Sequence, residues 1–260
     1  MLKGKSALIT GSTAGIGLAI AERLAALGCN IVLNGIEPED TLADLRRQLA
    51  ERFGVEVLLD GTDVGDTAQV ERMVARADET FGGVDILVNN AVHRVFGLIE
   101  HTAPADWERA MAVNLTSAFN AIRLTMTGMK QRNWGRIINM SSIYGQRGAP
   151  NRVTYVTAKT AMIGLTRAVA AECIDYDITC NALCPGATET PAAVGRIQES
   201  MERNGLSLED ATGRFLAGKN PTGRFITSES VAEFVAFLCG PAGGDINGSV
   251  QAMDMGWSGT

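Results

Sequence analysis

Short, continuously apolar runs alternate with longer amphipathic stretches along the chain. The apolar runs are rich in β-branched residues and predict strands, and the stretches between them have the length and periodicity of helices. Strands that are apolar on both faces are typical of a parallel sheet covered by helices on both sides. The predicted strands are 6–10, 30–34, 55–60, 84–90, 135–141, 178–184 and 249–254; the predicted helices are 15–27, 41–52, 67–80, 104–130, 153–174 and 228–238.

This alternation runs through all 260 residues without a linker, an internal repeat or a low-complexity tract. A chain of this length can bury one large core. Residues 1–260 are therefore predicted to form one doubly wound α/β domain with a seven-stranded parallel sheet. Residues 188–220 break the pattern, because they are polar, helical in periodicity and follow an apolar strand. Ligands of open α/β sheets bind beyond the carboxyl ends of the strands, so this insertion is predicted to be a mobile substrate lid; a solvated helical excursion is the alternative.

The composition narrows the possible partners. Net charge is −6 and no block of Lys or Arg occurs, so a nucleic-acid partner is not expected. No stretch approaches the roughly 18–20 apolar residues of a membrane-spanning helix, and the first apolar run is too short for a signal sequence. We therefore expect a cytoplasmic protein with no membrane partner. The five cysteines and two histidines lack the spacing of a zinc site, so no metal is expected.

A glycine-rich turn joins the first predicted strand to the first predicted helix. Gly11, Gly15 and Gly17 permit a tight turn and a close approach of the backbone to a pyrophosphate, which the free N–H groups of the helix would bind. The second strand ends at Asn34 and is followed by the acidic segment 37–40, with no basic residue to hold the 2′-phosphate of NADP. The sequence therefore favours NAD, although these acidic residues can equally form the first turn of the next helix.

Tyr155 and Lys159 are spaced four residues apart on a predicted helix, so their side chains share one face. A nearby ammonium lowers the pKa of a phenol and favours the phenolate. A tyrosine in that state can exchange a proton with a substrate alcohol at neutral pH. The same spacing arises by chance in many helices. The rest of the sequence has to decide whether Tyr155 and Lys159 are a catalytic pair or a coincidence of spacing.

The order of several motifs along the chain favours the catalytic interpretation of Tyr155 and Lys159. The sequence contains Thr10-Gly11-x-x-x-Gly15-Ile16-Gly17, then Asn89-Asn90-Ala91, Asn114, Ser142, Tyr155-x-x-x-Lys159 and Pro185-Gly186. Together they resemble the short-chain dehydrogenase/reductase superfamily over the whole chain, which implies a Rossmann domain that binds a dinucleotide and catalyses its reduction or oxidation. The resemblance implies that Tyr155 exchanges the proton and that Lys159 tunes it and holds the ribose. It also implies that Ser142 binds the substrate oxygen and that Asn114 positions a water.

The resemblance also implies a set of cofactor contacts. Asp63-Val64 would contact the adenine, Thr190 the carboxamide, and the glycine turn the pyrophosphate. One departure is Val92, which stands where the family usually has glycine after Asn-Asn-Ala and which puts the geometry of that loop in doubt. The full predicted cofactor set is Gly11, Thr13, Gly15, Ile16, Gly17, Asn34, Asp63, Val64, Asn90, Ala91, Tyr155, Lys159, Pro185, Gly186, Thr188 and Thr190.

Within the superfamily the chain is similar to bacterial 3-hydroxybutyrate dehydrogenases. Those enzymes hold the substrate carboxylate with Gln, His, Lys and Gln, beside a Trp. The matching positions here are Arg94, Tyr144, Arg152, Arg196 and Ala187. Arginine binds carboxylate, sulfonate or phosphate oxygens bidentately, so we expect an anionic substrate that is bulkier or more highly charged than 3-hydroxybutyrate. The predicted substrate set is Arg94, Ser142, Tyr144, Arg152, Ala187, Arg196 and Trp257; the alternative is that some of these arginines are merely solvated.

The sequence thus predicts an NAD-dependent enzyme that interconverts a secondary alcohol and a ketone on a small anionic hydroxy acid. A 3-oxoacyl-thioester reductase is the alternative within the superfamily, and a carbohydrate or steroid alcohol dehydrogenase remains open if the arginines face solvent. A non-catalytic nucleotide-binding regulator is the alternative of another class, against which the four intact catalytic residues argue. The resemblance implies assembly as a homotetramer.

Overall fold

A computed structural model describes residues 2–259 of the chain and contains one seven-stranded parallel sheet. Its order is β3-β2-β1-β4-β5-β6-β7, which confirms the predicted doubly wound fold. The predicted strands are all present, with ends that differ by at most two residues. They are β1 Ser6–Ile9, β2 Asn30–Asn34, β3 Val57–Asp60, β4 Ile86–Asn89, β5 Gly135–Met140, β6 Ile178–Pro185 and β7 Val250–Met253.

Nine α-helices of the described chain cover the sheet or extend from it. They are α1 Gly15–Ala26, α2 Glu39–Phe53, α3 Thr67–Phe81, α4 Pro104–Met111, α5 Ser117–Arg132, α6 Val153–Ala171, α7 Pro191–Asn204, α8 Leu208–Leu216 and α9 Ser228–Cys239.

Successive residues of the central strands enter two separate cores. Ala7 and Ile9 of β1 pack into the core beneath α1 and α9, whereas Leu8 packs into the core beneath α3 and α5. All three side chains are fully buried. This alternation explains why the strands are apolar at every position, as a sheet covered on both faces requires.

The predicted helix 104–130 is instead two helices joined by a π-helical turn, Ala112–Thr116. A π turn adds a residue to the helical register without interrupting the apolar pattern, so hydrophobic periodicity does not reveal it. Asn114 lies within this turn and is almost completely buried. The predicted helix is therefore present as continuous helical structure over 104–132, and the sequence prediction missed only the π turn within it.

Residues 188–220 contain two helices, α7 and α8, beyond the carboxyl end of β6. Thr190 caps α7 by accepting a hydrogen bond from the N–H of Ala193 at 3.2 Å. At the other end of the segment the buried amide of Asn220 binds both backbone groups of Ala187, at 3.0 and 2.7 Å. The segment therefore closes on itself at its base and stands over the carboxyl edge of the sheet, where a lid was predicted.

Candidate active site

A cavity of about 520 Å³ lies at the carboxyl edge of the sheet. It extends from the glycine turn and Glu37 at one end to Lys219 and Trp257 at the other. The strand order reverses beside β1, and the crevice at such a reversal is where open α/β sheets bind their ligands.

The glycine turn is shaped for close backbone contact. Gly11 and Gly15 have φ of +60° and +55°, which favour glycine. A side chain on Gly17 would overlap the carbonyl oxygen of Gly11. Helix α1 has no side-chain cap at Ala14, so its first N–H groups face the cavity with no side-chain oxygen in front of them. These features fit a dinucleotide pyrophosphate at the positive end of α1.

The Asn34 side chain does not line the cavity. Its amide is buried behind the glycine turn, where it accepts from the N–H of Gly11 at 3.0 Å and donates to the carbonyls of Asp60 and Thr62 at 3.2 and 3.0 Å. The oxygen and the NH₂ group of this amide are thus both engaged in hydrogen bonds to backbone groups. The Asn34 side chain thus braces the turn, and its predicted contact with the cofactor stays a prediction.

Glu37 takes the place in the cavity that was expected of Asn34. Its carboxylate accepts a hydrogen bond from the Thr13 hydroxyl at 2.8 Å and folds back over Gly35, leaving no room there for a Cβ. Thr13 and Glu37 both line the cavity. Both interpretations of the acidic segment hold in part, because Glu37 lines the cavity while Glu39 and Asp40 begin α2.

Asp63 and Val64 lie outside the lining of the cavity. The carboxylate of Asp63 pairs with Arg109 at 2.9 Å and accepts from the N–H of Gly65. The hydrogen bond from Arg109 is the main reason that the pKa of Asp63 lies below its usual value. The side chain is thus committed within the protein, and the predicted adenine contact stays a prediction.

The remaining predicted cofactor residues do line the cavity. The Asn90 amide holds the glycine turn by donating to the carbonyls of Thr10 and Gly11, at 2.9 and 2.8 Å. Val92 is exposed and adds its side chain to the lining. The lining contains Gly11, Thr13, Gly15, Ile16, Gly17, Asn90, Ala91, Tyr155, Lys159, Pro185, Gly186, Thr188 and Thr190.

Tyr155 is buried in α6 at the centre of the cavity. Burial by itself would raise the pKa of this phenol. The charges of Lys159 and Arg94, together with hydrogen bonds from Ser142 and Arg94, outweigh burial and hold the pKa of Tyr155 below its usual value. The site is therefore built to stabilise a phenolate, as a proton-transferring tyrosine requires.

Lys159 lies one helical turn further along α6, with its ammonium 5.8 Å from the centroid of the Tyr155 ring. It donates to the carbonyl oxygen of Met140 at 2.6 Å, which fixes it at the end of β5. Burial lowers the pKa of Lys159, the Tyr155 charge opposes this, and the Arg94 charge adds to it. The predicted pair is thus together in space.

Ser142 lies within reach of the same phenol, whereas the Asn114 side chain is turned elsewhere. Asn114 accepts from the N–H of His93 at 2.8 Å and donates to the carbonyl of His93 at 2.7 Å. Its amide therefore fixes the loop that carries Arg94, and the predicted positioning of a water by Asn114 stays a prediction.

The other end of the cavity is lined by every predicted substrate residue. Tyr144 packs edge-on against Tyr155 and Trp257, with ring centroids 6.3 and 5.3 Å apart. Arg94 lies 5.5 Å from the Tyr155 centroid, and Arg152 lies 5.0 Å from that of Tyr144.

Sequence reasoning missed two residues here, Phe215 and Lys219, which come from the end of the predicted lid. Both line the cavity, and the ammonium of Lys219 lies 3.8 Å from the Phe215 centroid. Arg196 from α7 faces the same ring at 5.0 Å. The only signal in the sequence was a basic residue within the predicted lid, which does not tell which way that residue points.

Within residues 2–259, no helix is both long and apolar enough to cross a membrane. Nor does the described part of the chain bring together three or more residues that could ligate a metal. The five cysteines are all buried and unpaired.

Comparison with known proteins identifies the family of the chain. A profile of the short chain dehydrogenase family matches residues 5–201. The D-beta-hydroxybutyrate dehydrogenase of Cupriavidus necator is 39% identical over 257 residues, 99% of each chain, and an Aquifex aeolicus 3-oxoacyl-[acyl-carrier-protein] reductase is 32% identical over 96% of this chain and 95% of its own. The structure of L-sorbose reductase from Gluconobacter frateurii, complexed with NADPH and L-sorbose, superposes with a TM-score of 0.95 at 33% identity over 100% of this chain and 98% of that one. The chain belongs to the short-chain dehydrogenase family of nicotinamide-dependent oxidoreductases.

Proposed function

We propose that this protein is an NAD-dependent dehydrogenase of a small anionic hydroxy acid, which it interconverts with the corresponding ketone. The observation that carries the proposal is one cavity that joins a phenolate-stabilising Tyr155 to three arginines, Arg94, Arg152 and Arg196. Similarity over nearly full length to a D-beta-hydroxybutyrate dehydrogenase supports a hydroxy acid as the substrate class.

The chemistry assigned to the side chains is proton transfer and orientation. In the direction of oxidation, Ser142 orients the substrate hydroxyl and the Tyr155 phenolate takes its proton. Lys159 and Arg94 stabilise the phenolate before that transfer. The nicotinamide, when bound, supplies the redox chemistry by exchanging a hydride with the substrate carbon. Arg152 and Arg196 hold the acid group, so that the reacting carbon has a fixed distance from Tyr155.

NAD is proposed over NADP because Glu37 faces the cavity where the adenosine ribose of a dinucleotide would lie beside Thr13. A carboxylate there would repel a 2′-phosphate and can accept hydrogen bonds from ribose hydroxyls. The L-sorbose reductase structure is complexed with NADPH, and comparing the rates with NAD and NADP tests the proposed preference. Assembly as a homotetramer is part of the proposal and is tested by light scattering after size-exclusion chromatography.

The testing experiment is a rate assay with a panel of substrates and both cofactors. The panel contains hydroxy monocarboxylates, dicarboxylates and sulfonates, a 3-hydroxyacyl thioester, and neutral sugars. The proposal expects turnover of an anionic hydroxy acid with NAD, abolished in Tyr155→Phe. Preference for the thioester with NADP would favour the reductase alternative instead. Cofactor binding without turnover of any substrate would favour a regulator, and both results would contradict the proposal.

A further inference from the structure

Four cationic side chains converge on the lid end of the cavity: Arg94, Arg152, Arg196 and Lys219, here called the cation cluster. Within residues 2–259 none of them is paired with a carboxylate. Glu37 is the one acidic residue of the described lining, and it lies at the cofactor end. The cluster therefore has no counter-charge of its own.

The cluster is held in place by aromatic rings. Arg152 lies 4.9 Å from the Phe96 centroid and 5.0 Å from that of Tyr144, and Arg196 and Lys219 share the ring of Phe215. Lys219 also donates to the carbonyl oxygen of Phe215. Cation–π contacts and a carbonyl fix the direction of a cation without neutralising it. The four charges are thus positioned, yet remain available to a ligand.

The members of the cluster lie in a definite order from the catalytic tyrosine outward. Arg94 acts electrostatically on Tyr155, and Arg196 is affected both by Tyr155 and by the other two arginines. Lys219 also lines the adjoining cavity, which Arg94, Arg152, Arg196 and Tyr155 do not reach. Lys219 is therefore the member of the cluster at the outer end of the site.

Holding these charges together costs free energy in the empty protein. Burial, and then the charges of Arg152 and Arg196, lower the pKa of Lys219 to about 8. Burial and the neighbouring arginines likewise hold the pKa of Arg196 below its usual value. One carboxylate would offset a single positive charge of the four, whereas a dianion that reaches Lys219 would relieve the repulsion at both ends.

We infer that the physiological substrate carries two acidic groups: Arg152 and Arg196 hold one near the reacting carbon, and Lys219 holds the other at the far end of the cavity. The second group is a carboxylate or an oxyanion of the same charge, such as a sulfonate or phosphate. This inference rests on the proposed oxidation of a hydroxy acid and assigns Lys219 as a residue that determines specificity.

The test compares 3-hydroxyglutarate with its monomethyl ester, which has nearly the same size and one charge less. We expect the wild-type protein to have a kcat/KM at least about tenfold higher for the dianion, chiefly through KM. Lys219→Met keeps much of the packing on Phe215 and is expected to reduce that ratio about tenfold, whereas Lys219→Arg keeps it. The matched control is Lys130→Met, because Lys130 also lies over an aromatic ring, Tyr176, at the opposite edge of the sheet.

Binding without turnover provides a second readout. Glutarate is expected to bind more tightly than its monomethyl ester, and this preference should fall as the pH rises through about 8, because Lys219 loses its charge there. The cations that face Lys219 are Arg152, Arg196 and, across the adjoining cavity, Arg147, and arginines keep their charge over this range. The fall should be absent in Lys219→Arg.

The possible outcomes distinguish failure of the dianion inference from failure of the proposed function. A wild-type ratio near one, or a ratio that Lys219→Met leaves unchanged, overturns the dianion inference while the hydroxy-acid activity stands. If no hydroxy acid is oxidised, the proposed function fails, and the glutarate titration still decides whether the far end binds a second anion. A sulfonate analogue of the substrate distinguishes a carboxylate-specific end from a general oxyanion site.

Discussion

The two ends of the cavity differ in how their polar groups are used. At the cofactor end, the side chains are paired with one another: Thr13 donates to Glu37, and Asn90 holds the carbonyls of the glycine turn. At the lid end, four cations are oriented by aromatic rings and lack any carboxylate partner among the described residues. The side chains of the cofactor end thus have partners within the protein, whereas the cations of the lid end have no neutralising partner among the described residues. We propose that the first region selects the cofactor and the second the substrate.

The largest expected effect lies where the two regions meet. Tyr155→Phe removes the proton acceptor while it keeps the ring that Arg94 and Lys159 face, so kcat should fall about 10²–10⁴-fold with little change in cofactor binding. Steady-state rates together with a fluorescence titration of NADH measure both quantities. The control is Tyr176→Phe, an exposed tyrosine outside the cavity. Equal losses of turnover in both variants would show that Tyr155 has no special role.

A smaller effect is expected at the cofactor end alone. Glu37→Ser removes the carboxylate beside Thr13, and the ratio of kcat/KM for NAD to that for NADP should fall about tenfold or more, because the repulsion of a 2′-phosphate is lost. Glu51→Ser, on an exposed position of α2, should leave the ratio unchanged. If both variants keep the wild-type ratio, Glu37 does not select the cofactor.

The third effect links the cation cluster to the catalytic tyrosine. Because Arg94 helps to lower the pKa of Tyr155, Arg94→Gln should raise that pKa. The phenolate then forms only at higher pH, so the acidic limb of the kcat profile for oxidation should move toward higher pH, and the rate at pH 7 should drop several-fold. Arg46→Gln, at an exposed site, serves as the control. An unmoved acidic limb would mean that Arg94 acts on the substrate only.

Much of the fold was predictable because it depends on patterns that one sequence contains. Continuous apolar runs identified all seven strands, and the glycines at 11, 15 and 17 marked the turn that the cavity begins with. The proximity of Tyr155 and Lys159 followed from helical spacing alone. Each of these features depends on residues that are close to one another in the sequence.

The features that escaped prediction depend on tertiary packing. Asn34 ends a strand beside the cofactor end, yet its amide points inward because three backbone groups behind the glycine turn need partners. The π turn at Asn114 changes the helical register without a change in periodicity. The sequence does not distinguish Lys219 from the other basic residues, whereas the structure places its ammonium over the Phe215 ring. The Asn34 side chain is thus oriented by partners 23 to 28 residues away in the sequence.

The most direct test of the central claim compares 3-hydroxybutyrate with its neutral methyl ester in the wild-type protein and in Arg152→Gln and Arg196→Gln. In the wild type, the acid is expected to have a kcat/KM at least about tenfold higher than the ester, and each substitution is expected to remove most of this difference through KM. Arg167→Gln, at an exposed position of α6, should retain it. An ester that reacts as well as the acid, or a preference that survives both substitutions, would contradict the claim that the lid end selects an anion.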